Sequence, residues 1–404
     1  MLAVHEAADG GLARVRLPGG VLSAEQLRVL VAAAVDLGDG HLELTSRANV
    51  QIRALQPGAP VELSDRLYAA GLLPSISHER VRNILASPLS GLDQHGRYDV
   101  LPLAAELDRL LCARPGLAEL PGRFLFALDD GRGDLASAKA DVAVQMVDNS
   151  QAELLLAGAP TGVLLEAERA PEVMVAAAEA FLAERAVQES EAWRLGELLE
   201  GPQHVLARLG LVQTREVLEL RAASGPRARA GRYEGPDGKV SLVVAVPLGV
   251  LTAEQAAALL ELAEHPQAAT LGEPAGRSQV AAPGGAGGQL RVTPWRSVVV
   301  RVVDADAAVE RLTGVGLVLE AGSPWNGVTS CAGRPGCGKA LADVRGDARR
   351  VVPGWGGGGR VVHWSGCERR CGRPGGEFVD VLALAGGGYA VDGVVMEVDE
   401  VRAR

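Results

Sequence analysis

The residues LPGGVLSAEQ at positions 17–26 return, slightly altered, as VPLGVLTAEQ at positions 246–255. Pro, Gly, Val, Leu, Ala, Glu and Gln recur in the same order, and Thr252 takes the place of Ser23. Both segments lead into an apolar helical pattern, where a Ser or Thr side chain can cap the first turn. We therefore predict one turn and one capped helix that occur twice in the chain.

The repetition extends beyond these helices. Each is followed by a strand pattern, HLELTSRANVQIRAL from His41 and QLRVTPWRSVVVRVV from Gln289. Further on, VRNILASPLSGLD at 81–93 corresponds in position to NGVTSCAGRPGC at 326–337. Ser87 then falls where Cys331 falls, and Asp93 falls where Cys337 falls, so the first copy lacks the thiols. The period is near half the chain, which indicates an internal duplication and not a solenoid.

Strands and helices are mixed along the chain, which predicts an α+β fold. The duplication divides the chain into four segments. The first and third, 1–75 and 226–310, are the two copies of the strand and helix unit. The second, 76–225, is larger and rich in helical patterns, and the fourth, 311–404, is shorter and carries four of the five cysteines.

Composition places the chain among folded globular proteins. It has 404 residues, of which 48% are hydrophobic, enough for more than one core. The net charge of −10 argues against a nucleic-acid or anionic-membrane partner. We see no apolar run of about 18 residues and no signal-peptide pattern. The expected location is therefore the cytoplasm, where thiols are usually reduced.

The four clustered cysteines form a C-x5-C pair, Cys331 and Cys337, and a C-x3-C pair, Cys367 and Cys371. Four thiolates can bind zinc or a [4Fe–4S] cluster. The five-residue spacer fits structural zinc poorly, and the flanking glycines would let backbone N–H groups approach sulfur. The pattern favours the cluster, while zinc and unligated thiols stay open. Cys112 stands alone in an apolar run and is expected to be a small buried side chain.

The segment from Thr45 to Arg53 alternates in polarity and predicts a single strand, apolar on one face. The polar face carries Arg47, Asn49, Gln51 and Arg53 without an acid, although the protein is acidic. One interpretation is a solvated outer face. The other is the wall of an anion-binding cavity, because arginine binds carboxylates bidentately.

The cysteine pattern in a duplicated chain resembles the nitrite and sulfite reductase superfamily. LTSRANVQIR, VRNILASPLSG and CERRCGRPG are similar to signatures of that superfamily. Within it, LRVTPWRSVVV, VTSCAGRPGCGKALADVR and VHWSGCERRCGRPGG most resemble the precorrin-3B synthase family of aerobic cobalamin biosynthesis. The resemblance covers nearly the whole chain.

The resemblance implies a fold of two ferredoxin-like half-domains and two larger α/β blocks about a pseudo-twofold axis. The half-domains would be 1–75 and 226–310. The block 76–225 would lack cluster cysteines, and the block 311–404 would carry the cluster. A tetrapyrrole would bind at the centre, between the two halves. The implied [4Fe–4S] ligands are Cys331, Cys337, Cys367 and Cys371.

The resemblance also places Arg82, Asn83, Arg123 and Arg296 near the macrocycle, although each arginine taken alone is a typical surface residue. His363 precedes the second cysteine pair. It is either a hydrogen-bonded structural residue or a candidate ligand of a second iron. No other catalytic residue can be identified from the sequence.

The implied reaction uses O₂ to hydroxylate precorrin-3A at C20, with formation of a γ-lactone, and requires an electron donor. A mononuclear non-haem iron is an additional implied cofactor. Sirohaem is not expected, because Leu125 stands where the reductases have the second lysine of LPRKFK and Arg123 stands where they have the first. Two alternatives stay open: a sirohaem-dependent sulfite or nitrite reductase, and a non-catalytic iron–sulfur protein that transfers electrons.

Overall fold

The first half of the chain forms a small unit and then a larger block. In the computed structural model, the described residues are 4–211, 225, 227–264, 288–355 and 361–403. The elements of the first unit are β1 (Val4–Ala7), β2 (Gly10–Val15), β3 (Val21–Ser23), α1 (Ala24–Leu37), β4 (His41–Leu44), β5 (Val50–Leu55) and α2 (Ala59–Ala69). Those of the block that follows are β6 (Ile84–Ala86), α3 (Leu101–Cys112), β7 (Phe126–Asp129), β8 (Val142–Met146), β9 (Gln151–Leu156), β10 (Ala159–Glu166), α4 (Ala170–Val187) and α5 (Gly201–Leu209).

The second half repeats this order in shorter form. Its first unit contains β11 (Gly231–Glu234), β12 (Val240–Ala245), β13 (Val250–Thr252), α6 (Ala253–Glu264), β14 (Gln289–Val292), β15 (Ser297–Val302) and α7 (Ala305–Gly314). Its second block contains β16 (Val328–Ser330), α8 (Val344–Val351), β17 (Val362–Ser365), β18 (Val379–Ala383), β19 (Tyr389–Val391) and β20 (Val394–Met396).

The predicted helix caps are present in both copies. Ser23 accepts a hydrogen bond from the backbone N–H of Gln26 at 3.1 Å, and the Gln26 side chain accepts one from Ser23 N at 3.0 Å. Thr252 and Gln255 form the same reciprocal pair at 3.2 and 3.1 Å. These capping boxes satisfy backbone donors that would otherwise lack partners at the helix start.

The two small units exchange a strand. One sheet has the order β1-β2-β5-β4-β13, and the other has the order β11-β12-β15-β14-β3. Leu251 of β13 pairs with Leu42, and Leu22 of β3 pairs with Leu290. The exchange is reciprocal, as a pseudo-twofold relation between the halves requires. One apolar core accordingly includes residues of both units, with Leu30 and Ile52 from the first and Leu259 from the second.

The two larger sheets share one topology. In the first, β6, β7 and β8 are parallel, and β9 and β10 continue antiparallel. In the second, β16, β17 and β18 are parallel, and β19 and β20 continue antiparallel. Each packs against its own core, around Phe124 and Phe181 in the first block and around Trp364 and Tyr389 in the second. The loops that follow the parallel strands carry the site.

The prediction of one alternating strand from Thr45 to Arg53 was wrong. The segment is a hairpin, in which β4 and β5 are joined by a turn closed by the hydrogen bond from Thr45 N to Asn49 O at 2.9 Å. Ala48 in this turn has a left-handed φ of 54°. A second irregularity follows, because the pairing of β5 with β2 shifts register beside Arg53. Side chains on the two sides of the turn therefore do not share a face.

None of the helices in the described residues combines the length and the apolar character that a bilayer crossing requires.

Candidate functional site

The two cysteine pairs lie on adjacent loops at the end of the second large sheet. Cys331 follows β16 and donates its backbone N–H to Trp364 O at 3.0 Å. Gly366, just after β17, donates its backbone N–H to Cys331 Sγ at 3.1 Å. Cys337 donates to Gly333 O at 2.8 Å, which closes the first loop into a turn. Parallel pairing of β16 and β17 thus places two thiol-bearing loops side by side.

The four thiols are near enough to influence one another. Burial, and then the charges of Cys331, Cys367 and Cys337, raise the pKa of Cys371. Cys371 is exposed, while the other three are half-buried. Within the described ranges, no group of three or more His, Cys, Asp or Glu side chains is arranged to hold a metal ion. The thiols therefore lie close together without converging on one point.

Two serine hydroxyl groups near the cysteines in sequence have no hydrogen-bond partner among the described residues. They belong to Ser330, which precedes Cys331, and to Ser365, which ends β17, and both are buried. Buried hydroxyls normally find an acceptor. Sulfur atoms of an iron–sulfur cluster accept such hydrogen bonds. Four thiols, a backbone N–H on sulfur and free hydroxyl donors together fit a [4Fe–4S] group.

Arg53 lies against the first cysteine loop and not on the wall of a cavity. Its Nη2 atom donates to Gly336 O at 2.6 Å, and Gly336 directly precedes Cys337. Asp9 binds the same guanidinium through two hydrogen bonds of 3.0 Å. Arg53 is buried, so this pair is fixed. The substrate role that the alternation suggested for Arg53 is therefore not compatible with its position.

A cavity of about 810 Å³ lies between the two halves of the molecule. Its wall combines loops of the first half, such as 134–138, with loops of the second half, such as 372–375. Arginine dominates its charged residues. The arginines on its wall are Arg47, Arg194, Arg227, Arg229, Arg296 and Arg373. Asp134 is the one acid among the described residues of the wall. A protein of net charge −10 thus concentrates cations in one cleft.

Arg47 and Arg296 are cavity arginines without a carboxylate partner in the part of the chain that the structure describes. Arg47 donates to the backbone oxygens of Gly122 and Arg123 at 3.2 and 3.0 Å. Arg296 donates to Gly372 O at 3.3 Å, beside Cys371. Burial, and then nearby arginines, lower the pKa of each to about 10. A bound anion would favour the charged form of both arginines and so oppose this lowering of their pKa.

The rest of the wall is largely apolar and aromatic. Trp295, Trp325 and Trp355 lie on it, in a chain that has five tryptophans. Leu85 and Leu125 add aliphatic surface. Flat, largely apolar walls with a few directed polar groups are typical of sites for organic ligands, whose volumes are about 300–1,000 Å³. The cavity is at the upper end of that range.

Four other predicted binding residues lie away from the cavity. Asn49 is buried; its side-chain Oδ1 accepts from Leu17 N at 2.9 Å, and its backbone oxygen closes the hairpin turn. Gln51 lies within β5, with its amide oxygen best directed to Arg14.

Arg82 and Asn83 are equally committed to the fold. Arg82 is buried in a bidentate pair with Asp108, with both bonds 2.7 Å long. Asn83 is fully buried and donates to backbone oxygens that include Gly122 O at 3.1 Å. Both residues are buried and neither lies on the cavity wall, so neither is in a position to contact a ligand there.

Arg123 is exposed and stacks over Trp193, with 6.0 Å from its Cζ atom to the ring centroid. It is not on the cavity wall, although its backbone oxygen holds Arg47. Of the eight predicted substrate residues, the structure brings only Arg47 and Arg296 to the cavity.

His363 is fully buried in β17, and its Nδ1 atom is 2.8 Å from Thr329 Oγ1. Nε2 has no partner at hydrogen-bond geometry among the described residues, although the Cys371 backbone lies close enough to act on the ring. Burial, and then Arg296, lower the pKa of His363 to about 4, so the ring is neutral at pH 7. Phe378 covers it edge-on. The position suits a packed structural histidine better than an iron ligand.

Sequence reasoning missed several cavity residues. Arg227 and Arg229 come from GPRARAGR, a run without acids that could have signalled an anion site. Arg194 and Asp134 carry no such signal, because each is an isolated charge in a mixed segment. Their positions depend on how distant loops meet between the halves.

Comparisons with known proteins agree with this geometry. Residues 5–70 match the family described as Nitrite/Sulfite reductase ferredoxin-like half domain. A precorrin-3B synthase from Sinorhizobium sp is 29% identical over 393 residues, which is 95% of this chain and 80% of that protein. A ferredoxin–nitrite reductase from Synechococcus elongatus is 36% identical over 134 residues, 32% of this chain and 26% of its own. The solved structure of the Mycobacterium tuberculosis NirA protein superposes with a TM-score of 0.71 at 20% identity, covering 97% of this chain and 79% of that one.

The matched half domain and the fold show that the chain is similar to members of the nitrite and sulfite reductase superfamily, and the relatives named above are oxidoreductases. The predicted fold class is thereby confirmed. Within the superfamily, the sequence is similar along nearly its whole length to precorrin-3B synthase.

Proposed function

We propose that this protein is a precorrin-3B synthase, which hydroxylates precorrin-3A at C20 with O₂ and forms the γ-lactone. The observation that carries the proposal is the cavity between the halves, with six arginines and one acid on its described wall. Precorrins carry many acetate and propionate groups around a macrocycle. Arginine is the side chain best suited to bind carboxylates in a partly desolvated site.

The apolar part of the cavity supports a flat macrocyclic ligand. Trp295, Trp325 and Trp355 offer ring faces that a tetrapyrrole can contact. A carrier that only passes electrons needs no such cavity. This distinguishes the proposal from a non-catalytic iron–sulfur protein.

The residue at position 125 favours a precorrin over sirohaem. Leu125 is buried on the cavity wall, at the position where the reductases have a lysine directed at sirohaem and its anionic substrate. Aliphatic surface cannot supply that cation. We therefore expect the purified protein to contain no sirohaem. A Soret band with extractable sirohaem would favour the sulfite or nitrite reductase alternative.

Cys331, Cys337, Cys367 and Cys371 would hold the [4Fe–4S] cluster. When bound, it would accept and pass on single electrons. Gly366 N–H already points at one thiol sulfur, and Arg53 fixes the loop before Cys337. Cys371 directly precedes Gly372 on the cavity wall, so the cluster would lie close to the bound substrate. We propose a ferredoxin-type donor, because ferredoxin is the donor in the names of the reductase relatives.

The direct test is the protein purified without oxygen. We expect iron and acid-labile sulfide in equal amounts, near four of each per chain. Addition of precorrin-3A, a reductant and O₂ should yield a product heavier by one oxygen atom, detected by mass spectrometry. Stoichiometric zinc without sulfide would refute the cluster, and absence of the oxygenated product with cluster-loaded protein would refute the reaction.

Substitutions of Arg47, which lies on the cavity wall, and of Arg53, which does not, form a matched pair that tests the binding site. Arg47→Ala removes a cavity cation, and a charge-assisted hydrogen bond is worth about 1.5–3 kcal/mol. Affinity for precorrin-3A should therefore fall roughly ten- to a hundredfold, measured by absorbance titration without O₂. Arg47→Lys should recover only part of this loss, because lysine keeps the charge without the planar fork. Arg53→Ala should leave precorrin affinity nearly unchanged and reduce cluster content. Equal effects of the two alanine variants on affinity would contradict this assignment.

A further inference from the structure

Asp134 is the acidic side chain of the arginine-rich cavity wall, and only 3% of it is exposed. Ser87 donates from Oγ to Asp134 Oδ1 at 2.8 Å. The other oxygen, Oδ2, is buried and has no hydrogen-bond partner among the described residues. A buried carboxyl oxygen left without a donor is costly. The wall of the cavity thus contains an acceptor that the fold itself does not satisfy.

The orientation of this carboxyl group is fixed by its surroundings. Ser87 Oγ accepts from Asp130 N at 3.1 Å, so its own hydrogen is directed at Asp134. Asp129 holds the loop by accepting from Gly131 N at 2.9 Å and from Gly133 N at 2.8 Å. Oδ1 is therefore used by the protein, and Oδ2 is the atom left for a ligand.

Charges around Asp134 leave it without a neutralising partner. Burial, and then Asp129, raise the pKa of Asp134 to about 7. Arg132 opposes this only weakly, because its guanidinium is bound to Asp93 and Asp130. A hydrogen-bond donor from a ligand would favour the ionised form.

A tetrapyrrole presents two kinds of polar group. Its carboxylates lie on the rim and match the arginines of the wall. Its pyrrole N–H groups lie inside the ring and are donors, which match a carboxylate. Asp134 is therefore matched to the N–H groups at the ring centre, because every other charged side chain on the described wall is a cation that suits the rim carboxylates.

We propose that Asp134 accepts a hydrogen bond from a pyrrole N–H of the bound macrocycle and so selects a metal-free tetrapyrrole over its metal complex. The inference rests on the proposed function. A metal ion in the ring replaces the N–H hydrogens, so a metal complex offers Asp134 no donor and leaves its Oδ2 atom unsatisfied.

The test compares two probes that differ only at the ring centre, a metal-free octacarboxylate porphyrin and its nickel(II) complex. Nickel(II) is chosen because its square-planar preference discourages an axial carboxylate bond. Each is titrated into the cluster-loaded wild type and Asp134→Asn, followed by absorbance. Asn keeps an oxygen for Ser87 and replaces the free acceptor with a donor. A thermal unfolding midpoint for each protein controls for folding.

The wild type should bind the metal-free probe at least about tenfold more tightly than the nickel complex, the factor expected for one charge-assisted hydrogen bond. Asp134→Asn should lose this preference and keep its affinity for the nickel complex. An unchanged ratio, or an equal loss for both probes, overturns the Asp134 inference alone. If the wild type binds neither probe, the proposed function fails and the inference fails with it. For a variant that unfolds, Asp134→Ala replaces it in the same titration, because alanine also removes the acceptor, and a retained ratio there would overturn the inference.

Discussion

Ser87 in the first half and Cys331 in the second occupy the same place in the same frame. The backbone N–H of Asp130 donates to Ser87 Oγ at 3.1 Å, and that of Gly366 donates to Cys331 Sγ at 3.1 Å. Each residue also donates its own backbone N–H to the neighbouring parallel strand, at 3.1 Å from Ser87 and 3.0 Å from Cys331. The correspondence predicted from the duplication is thus confirmed at the level of single hydrogen bonds. The backbone hydrogen bonds are thus the same in both halves, and the difference is the side-chain atom, oxygen in Ser87 and sulfur in Cys331.

The two halves fill this place differently. In the second half, Cys331 occupies this place, and the thiols of Cys337, Cys367 and Cys371 lie near it. In the first, Arg132 binds Asp93 at 2.8 Å and Asp130 at 2.7 Å, and both carboxylates are buried. An ion network therefore stands where the other half has its thiols. Equivalent positions thus hold an ion network in the first half and thiols in the second. Of the two sets of side chains, only the thiols are ligands for a redox-active iron–sulfur cluster.

The strongest way to break the comparison is to make the second half like the first. Cys331→Ser introduces the residue that the first half has at position 87. The hydroxyl can still accept from Gly366 N–H, so the fold should persist. Because a hydroxyl is a poorer ligand for cluster iron than a thiolate, iron and sulfide content should fall severely. Metal analysis and the visible absorption spectrum measure this.

Cys112→Ser is the matched control, because Cys112 ends α3 in the first block, far along the chain from the thiol loops. Burial, and then Asp108, raise the pKa of Cys112 to about 11, so it stays a thiol near neutral pH. Its replacement should leave the spectrum unchanged. A normal cluster in Cys331→Ser, or a lost one in Cys112→Ser, would show that the cluster is not held as proposed.

A smaller effect is expected from the ion network of the first half. Arg132→Met leaves Asp93 and Asp130 buried without their cation. Removal of one partner of a buried pair lowers the free energy of unfolding by about 3–5 kcal/mol. Denaturant unfolding, followed by circular dichroism, measures the change.

Arg232→Met is the control for Arg132→Met, because Arg232 and Asp306 form an exposed pair. Such pairs contribute about 0–1 kcal/mol. If the two variants lose similar stability, the buried network of the first half contributes no more than a surface ion pair, which would contradict the structural role assigned to it.

Much of the frame could be predicted from the sequence, because local signals and repetition were strong. The caps at Ser23 and Thr252 depend on neighbouring residues and were predicted correctly. So was the match of Ser87 to Cys331, which needed only constant spacing. The mixed α+β fold and the similarity to nitrite and sulfite reductases follow from the same repeats and the cysteine motifs.

The parts that could not be predicted depend on irregular backbone and on distant contacts. The alternation from Thr45 to Arg53 continues across a turn, and period two cannot reveal a hairpin whose two strands happen to be in phase. Arg47 therefore faces the cavity, while Arg53 faces the loop of Gly336. Nothing near Arg53 in the sequence indicates its pairing with Asp9, because Asp9 lies in the turn between β1 and β2, 44 residues away. Burial of Asp134 depends likewise on packing between separated segments.

The exchanged strands provide the finest test of the comparison, since here the halves are alike. Ser23 ends β3, which lies in the second unit's sheet, and Thr252 ends β13, which lies in the first unit's sheet. Ser23→Ala and Thr252→Ala each remove one cap, and each should lower the free energy of unfolding by about 1 kcal/mol. Because each strand belongs to the opposite sheet, neither unit can unfold while the other stays intact. Both variants should therefore shift the same unfolding transition, by similar amounts, in circular dichroism and in tryptophan fluorescence. Two separate transitions, each moved by only one of the variants, would show that the units fold independently and that the strand exchange adds little to their cohesion.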